Sequence, residues 1–416
     1  MAIEMIRKAE KVGMCRICGT DLPAPFFHLG QQPLANSLLK PKFESEDVYE
    51  LALCHCSTCK TVQLTQTIAP EILFRDYIWV TGTASTTRAY AKAFFTNVSQ
   101  RLPFGELAKI TEIASNDGTF LKPFLDAGHN VQGIDPARNI AQIAINAGIP
   151  TVSEFFGSDI ARQQRIDKGP SDVIIARNVI PHVADVNDVI AGIEHLMSEK
   201  GIGVIEFHDA SKIQTELHYD SIYHEHIFYF TILTLEHLLN RHGLYLFDIE
   251  ESPISGGSWV VFFSKDANKS QSKVLLDCKQ REESKGINEQ SSWVDFAKNC
   301  ENHALRLTKI IQNHVTNGLI VAGYGASARS STMLNYCKLS HHNITVIADK
   351  NVMKQGLLAP GTHIPIEDPE DVFNRNIDIV LLCAWNFKEE IVDFLRNEMS
   401  FTGDIILPLP NFIEIV

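Results

Sequence analysis

Two cysteine pairs, Cys15-Arg-Ile-Cys18 and Cys56-Ser-Thr-Cys59, stand about forty residues apart, and two such knuckles present four thiolates as a tetrahedron at the ~2.3 Å that zinc requires. Gly19 follows the first knuckle and suits a tight turn whose N–H groups face sulfur. His28 and His55 are alternative ligands, whereas Cys54 reads as a small buried residue. Four thiolates leave no open position for water, so the metal is structural and the chemistry lies elsewhere. A second constellation is Glu112-Ile-Ala114-Ser-Asn116-Asp117-Gly118, with Ile134-Asp135-Pro136 following at the end of the next apolar run. Such a loop lets backbone approach a ligand while an acid on the next strand takes two ribose hydroxyls. A diphosphate loop favours G-x-G-x-x-G; acids at 112 and 117 suit a sulfonium or amino group better, which turns the expected cofactor from NAD to S-adenosylmethionine. The third constellation is Tyr223-His224-Glu225-His226, four polar groups between Ile222 and Ile227. If extended, residues 224 and 226 share one face and 223 and 225 the other. A surface stretch, or a metal site on His224 and His226, is the alternative to a catalytic cluster.

These groups need elements to hold them. Pro23, Pro25, Pro33 and Pro41 break any long helix in the first 80 residues. Residues 88–102 read as a helix leading into the next unit. Residues 107–114, 130–135, 172–177 and 203–207 read as strands, and 119–127, 140–147 and 186–197 as helices; that alternation predicts βαβ units and a parallel sheet. A helix at 233–241 and strands within 244–264, with a Ser-Gly-Gly turn at 255–257, complete the unit. Residues 265–285 read as a linker or helical bridge, followed by a long amphipathic helix at 291–317 that Gly318 closes. A second alternating unit then places strands at 319–323, 344–348 and 377–382 and helices at 328–336 and 388–397.

At 416 residues the chain exceeds one hydrophobic core, which stops growing at ~250–300 residues. Its 45% apolar and 21% charged content is that of an ordinary globular protein. A net charge of −13 speaks against a duplex-binding face, so the expected partner is a small molecule and not nucleic acid. No stretch approaches the ~20 apolar residues that span a bilayer, and residues 1–14 lack a signal-peptide core. The expectation is a cytoplasmic protein, monomeric, whose nine cysteines stay reduced.

Taken in order, the motifs resemble the nucleotide-sugar C-methyltransferases that install a branching methyl on deoxyketosugars, of the dTDP-deoxyketosugar type. The resemblance runs through the two cysteine pairs with Thr61-Val-Gln-Leu64, Glu112-Ile-Ala-Ser-Asn-Asp-Gly-Thr119, Ala176-Arg-Asn178-Val-Ile-Pro-His182 and Tyr223–His226. It continues through Gly323-Tyr324-Gly325-Ala326-Ser327-Ala328, Lys354-Gln-Gly to His363-Ile-Pro, and Ala384-Trp-Asn-Phe387, covering essentially the whole chain. It implies an α/β protein with a zinc-binding module at 1–80, a class I S-adenosylmethionine methyltransferase domain of Rossmann-like fold at 81–265, a linker and long helix at 266–317, and a second Rossmann-like domain at 318–416. In that reading Asp135 binds the ribose, Glu112 and Asp117 lie near the methionine part, and Asn116, Gly118 and Asn178 belong to the same site. Ala114 stands where the family typically has Gly.

Methylation at carbon first needs a carbanion. A ketone acidifies the adjacent C–H, a histidine with an ordinary pKa near ~6.5 is suited to take the proton, and a second group must hydrogen-bond the enolate oxygen. The resemblance assigns the base to His226, with Tyr223, Glu225 and His224 orienting substrate or stabilising the enolate. His182, after the fourth strand, is either catalytic or a helix-start histidine satisfied by a carbonyl. Tyr77 resembles a family aromatic that reaches the active site, with packing at the domain junction as the alternative. His208 ends a strand and faces the pocket in one reading.

The 323–328 loop followed by Asp349 can also be read as a dinucleotide site, which makes an NAD-dependent sugar-nucleotide oxidoreductase the alternative function. The resemblance implies instead a domain without its own cofactor that encloses the sugar nucleotide. There the N–H groups of Ala326 and Ser327 would face a diphosphate beside Tyr324, with Arg329 and Lys354 adding positive charge. The expected activity is methyl transfer to carbon, C3, of a nucleotide-diphosphate 4-keto-6-deoxyhexose.

Overall fold

Runs such as Ile110–Ile113 and Val173–Ala176 are buried on both faces, the signature of a parallel sheet covered by helices. The computed structural model describes residues 8–42, 45–77, 79–83, 85–102, 107–252, 256–411 and 413–416. Its largest sheet has seven strands in the spatial order Tyr245–Ser252, Ser258–Ser264, Met197–His208, Ser171–Arg177, Lys109–Ile113, Asn130–Ile134 and Thr151–Val152. The last five run parallel, and Ser258–Ser264 is inserted antiparallel to both its neighbours. The order reverses between Lys109–Ile113 and Ser171–Arg177, so the loops leaving these two strands diverge and open a crevice beyond their carboxyl ends.

A second sheet repeats the scheme in the order Ile366–Glu367, Ile347–Ala348, Val321–Tyr324, Ile379–Leu382, Asp404–Leu407 and Glu414–Ile415, parallel except for the last pair. The long helix Gln290–Thr316 joins the two units. Its apolar stripe (Trp293, Phe296, Cys300, Leu307, Ile311) shares one core with Phe27 and Tyr219 on one side and Ile347 and Leu381 on the other. Gly318, at φ +80°, ends it as expected.

The cysteine-rich region folds as an antiparallel sheet of Phe27–Pro33, Val48–His55 and Val62–Leu64, and its fourth strand is Phe228–Tyr229 from much later in the chain. That pairing ties the module to the segment just after Tyr223–His226.

Several local expectations are revised. Helix Ser158–Lys168 was not anticipated, because it buries only Ala161 and Gln164 and shows no apolar stripe. The polar stretch 265–285 contains a true helix, Lys273–Ser284, started by the Ser272 side chain. Ser255 of the anticipated turn lies outside the described residues, while Gly256 and Gly257 take φ +80° and +117°. Among the described residues no helix is long and apolar enough to cross a membrane.

Candidate active site and metal centre

The four Sγ atoms of Cys15, Cys18, Cys56 and Cys59 all lie within 4.8 Å of one another. Two of the edges, Cys15–Cys59 and Cys18–Cys56, measure 3.5 Å, close to the ~3.8 Å edge of a tetrahedron with zinc–sulfur arms of ~2.3 Å. The residues present therefore fit the metal. Gly19 and Lys60, each just after a knuckle, take φ +75° and +61°, which curls the chain so that Cys59 N–H points at the Cys56 sulfur. The Gln63 amide donates to the Cys15 sulfur at 3.1 Å. The alternative ligands are elsewhere: the Cys54 thiol faces the Gln63 carbonyl, His55 Nε2 meets the Asn288 carbonyl at 2.9 Å, and His28 is exposed.

In the crevice of the large sheet, Asp135 accepts the backbone N–H groups of Asn116 and Ala137, both at 2.8 Å. Glu112 is buried, and among the described residues its Oε2 has no hydrogen-bond partner. Burial pushes its carboxyl up to about 8, against the pull of Arg177. An orphaned buried carboxylate is what a cationic ligand would relieve, so the crevice fits a sulfonium or ammonium group. Asp117 and Asn116 are partly used otherwise. Asp117 accepts the N–H groups of Gly82 and Thr119, and the Asn116 side-chain Oδ1 accepts that of Thr81. They tie down the strap 79–83, and Asn139 exchanges two hydrogen bonds with the Tyr77 backbone. Asn178 sits at the end of the fourth strand at φ +49° with its N–H on the Glu206 carbonyl. Ala114 is left-handed at φ +54°, where an L side chain costs roughly 1–2 kcal/mol. Ala114→Gly is expected to raise the apparent melting temperature by about 2 °C with S-adenosylhomocysteine affinity intact, read by differential scanning calorimetry and titration calorimetry.

Tyr223–His226 is not extended. His226 N–H donates to the Tyr223 carbonyl at 2.9 Å, closing a turn that brings the Tyr223 and His226 rings to 3.9 Å between centroids. The expected face-sharing of residues 224 and 226 is thereby replaced: His224 packs edge-on against Tyr49 of the metal module, whereas His226 meets His182 edge-to-face at 4.8 Å. Neighbouring segments stitch the turn in place, with Leu64 N–H on the Ile227 carbonyl and Ile227 N–H on the Pro181 carbonyl, both at 2.8 Å. His226 Nδ1 lies 2.7 Å from the Ser221 carbonyl. Burial, with help from the Arg329 charge, holds the His226 pKa well below the usual histidine value, and burial takes His182 down to about 4. Among the described residues no carbonyl satisfies His182 Nδ1. Tyr77 does reach the turn, its hydroxyl donating to Glu225 Oε2 at 3.2 Å.

Two residues that sequence reasoning missed complete this region. Asn36 Nδ2 donates to Glu225 Oε1 at 2.6 Å. Asp220, fully buried, accepts two bonds from Arg329 at 3.1 Å and one from the Trp385 indole at 2.7 Å. His208 turns to His218, ring nitrogens 3.4 Å apart.

The C-terminal loop differs from expectation. Ala326 N–H donates to Asp349 at 2.8 Å, Ser327 N–H to the Ser330 hydroxyl at 2.7 Å, and Tyr324 is buried against Phe373 and Phe394. Lys354 caps the Ala326 carbonyl at 2.7 Å and sits 3.4 Å from Asp349. The loop thus satisfies itself: these N–H groups and this lysine are committed within the domain. Asp349 takes the same backbone pattern as Asp135, accepting from Ala326 and Asn351 where Asp135 accepts from Asn116 and Ala137. It differs in having the Lys354 ammonium beside it.

Over 400 residues the chain is 30% identical to the C-methyltransferase NovU of Streptomyces niveus, covering 95% of each chain. The protein is a C-methyltransferase. Family models agree segment by segment: a zinc binding domain matches residues 15–74, a methyltransferase domain 87–248 and a C-methyltransferase C-terminal domain 253–410. Over 103 residues this C-methyltransferase is also 32% identical to a ubiquinone biosynthesis O-methyltransferase of Bartonella quintana, covering 24% of this chain and 41% of that one. The crystal structure of magnesium protoporphyrin IX methyltransferase from Synechocystis with bound SAM aligns at 13% identity and a TM-score of 0.32, over 44% of this chain and 79% of that one. The C-methyltransferase uses S-adenosylmethionine, and its four cysteines form the zinc site.

Proposed function

We propose that the enzyme methylates C3 of a nucleotide-diphosphate 4-keto-6-deoxyhexose, with the His226 imidazole as general base. The hydrogen bond from His226 Nδ1–H to the Ser221 carbonyl carries this reading. A carbonyl can only accept, so it fixes the tautomer and leaves the lone pair on Nε2. The depressed pKa keeps that nitrogen free of a proton at neutral pH. A C4 ketone acidifies the C–H bonds at C3 and C5. In the proposed step the C3–H bond breaks, its proton goes to His226 Nε2, and its electron pair forms the enolate. S-adenosylmethionine, when bound, would supply an electrophilic methyl to the enolate carbon, its methyl–sulfur bond breaking with the electron pair left on sulfur so that neutral S-adenosylhomocysteine departs. Tyr223, whose phenol burial holds protonated, is suited to donate to the enolate oxygen. Glu225 with Tyr77 orients the sugar hydroxyls, and His182 shields the base from water. Arg329, on the helix that opens the C-terminal unit and paired with Asp220, is the cation this reading assigns to the diphosphate.

The test is product analysis after incubation with S-adenosylmethionine and thymidine diphosphate 4-keto-6-deoxyglucose. A methyl on a quaternary C3 by NMR is the expected result. A methyl at C5 overturns the carbon assignment, and no transfer to any ketosugar nucleotide in a small panel overturns the substrate class.

A further inference from the structure

We infer that Asn36 is a positioning residue for methyl transfer, holding the Glu225 carboxylate of the catalytic turn so that the metal module completes the active site as well as bracing it. This rests on the assignment of Glu225 to the site proposed above. Asn36 lies in the loop after strand Phe27–Pro33, anchored by buried Leu34 and Ala35 and by Ser37 N–H on the Leu34 carbonyl. Its amide takes Glu225 Oε1 at 2.6 Å while the Tyr77 hydroxyl takes Oε2 at 3.2 Å. One donor therefore comes from the metal module and the other from Tyr77, whose backbone Asn139 holds. Two donors on two oxygens match a carboxylate that accepts at both, the ionised form.

Glu225 is only 4% exposed, and burial pushes its carboxyl up to about 7 while these two hydrogen bonds pull it down. Its charge is thus balanced near neutrality, where one lost donor tips it. The other titratable groups facing it are the Tyr77 and Tyr223 phenols, which burial keeps protonated; His226, against the Tyr223 ring, and His182, against His226, are kept neutral. Glu225 is the group of this turn that changes charge around pH 7.

The experiment is the pH profile of kcat, with S-adenosylmethionine and thymidine diphosphate 4-keto-6-deoxyglucose, for wild type, Asn36→Ala, Asn36→Asp and Glu225→Gln, alongside zinc content and S-adenosylhomocysteine affinity. In wild type the rate should rise as Glu225 ionises. Losing a hydrogen bond to the charged form raises the pKa, so Asn36→Ala should move that limb up by about one unit and cut kcat at pH 7 about fivefold. Asn36→Asp, nearly isosteric, sets a second acid against Glu225 and should move it further. Glu225→Gln should remove the limb, with Asn36→Ala adding nothing in the double variant. A limb unmoved in either folded, zinc-loaded Asn36 variant overturns the inference even if kcat falls. A Glu225→Gln enzyme with wild-type rate and profile overturns the assignment of Glu225 itself.

Discussion

His226→Asn is expected to lower kcat by ~10²–10⁴-fold, the usual contribution of a positioned general base, while S-adenosylhomocysteine binds as before. Asparagine nearly preserves the shape near the backbone, so the turn closed by His226 N–H on the Tyr223 carbonyl stays formed. What disappears is the nitrogen that the Ser221 carbonyl leaves unprotonated. Proton abstraction can be watched apart from methyl transfer, as solvent deuterium entering C3 of the ketosugar in the absence of S-adenosylmethionine. The variant should lose this exchange. Exchange at the wild-type rate would place the base elsewhere, His182 being the next imidazole in the contact chain. The pH dependence separates the two acidic limbs: the His226 pKa lies below the ordinary histidine range, so its protonation stops catalysis only in acid, whereas the Glu225 limb falls near neutrality.

The parts of this machinery that sequence displayed are those encoded by short-range spacing. Each cysteine knuckle is four residues long, and the acidic loop and Asp135 sit at the ends of adjacent parallel strands, so local pattern predicts both. Long-range arrangements left no such trace. Phe228–Tyr229 is two residues long and becomes a strand only because Val62 and Gln63 pair with it. Asn36 is one polar residue in an irregular loop, and its meaning comes from a carboxylate 189 positions away. The extended reading of Tyr223–His226 failed because a tertiary demand, stitching to Leu64 and Pro181, bends the chain there. At the C-terminal loop, the motif foretold a strand, turn and helix correctly but not the ligand chemistry: a motif specifies backbone shape, and Lys354, from outside it, occupies the acid.

Asp220→Ala is expected to cost ~3–5 kcal/mol, because removing one partner of a buried ion pair leaves the other charge desolvated. That is a large share of the ~5–15 kcal/mol that stabilises a typical domain. Asp220 is fully buried, and Arg329 grips it with two nitrogens while stacking 4.7 Å over the Trp385 ring. The carboxylate is thus the joint at which the catalytic segment meets the helix Ala328–Tyr336 and the turn Trp385–Phe387 of the C-terminal unit. Urea unfolding should show the loss directly. Asp220→Asn keeps an acceptor for the Trp385 indole and should fold better, yet it still releases the Arg329 charge. Arg329 already depresses the His226 and His208 imidazoles, so without its counter-charge the base becomes weaker still and deuterium exchange at C3 slows even in folded protein. Pairing Asp220→Asn with Arg329→Gln removes both charges and should recover most of the stability, since deleting a buried pair together is far cheaper than breaking it. Turnover should stay low, because the positive charge intended for the diphosphate is gone. A single Asp220→Ala variant with wild-type urea midpoint would show that the two units are joined by apolar packing around Tyr219 and the long helix alone.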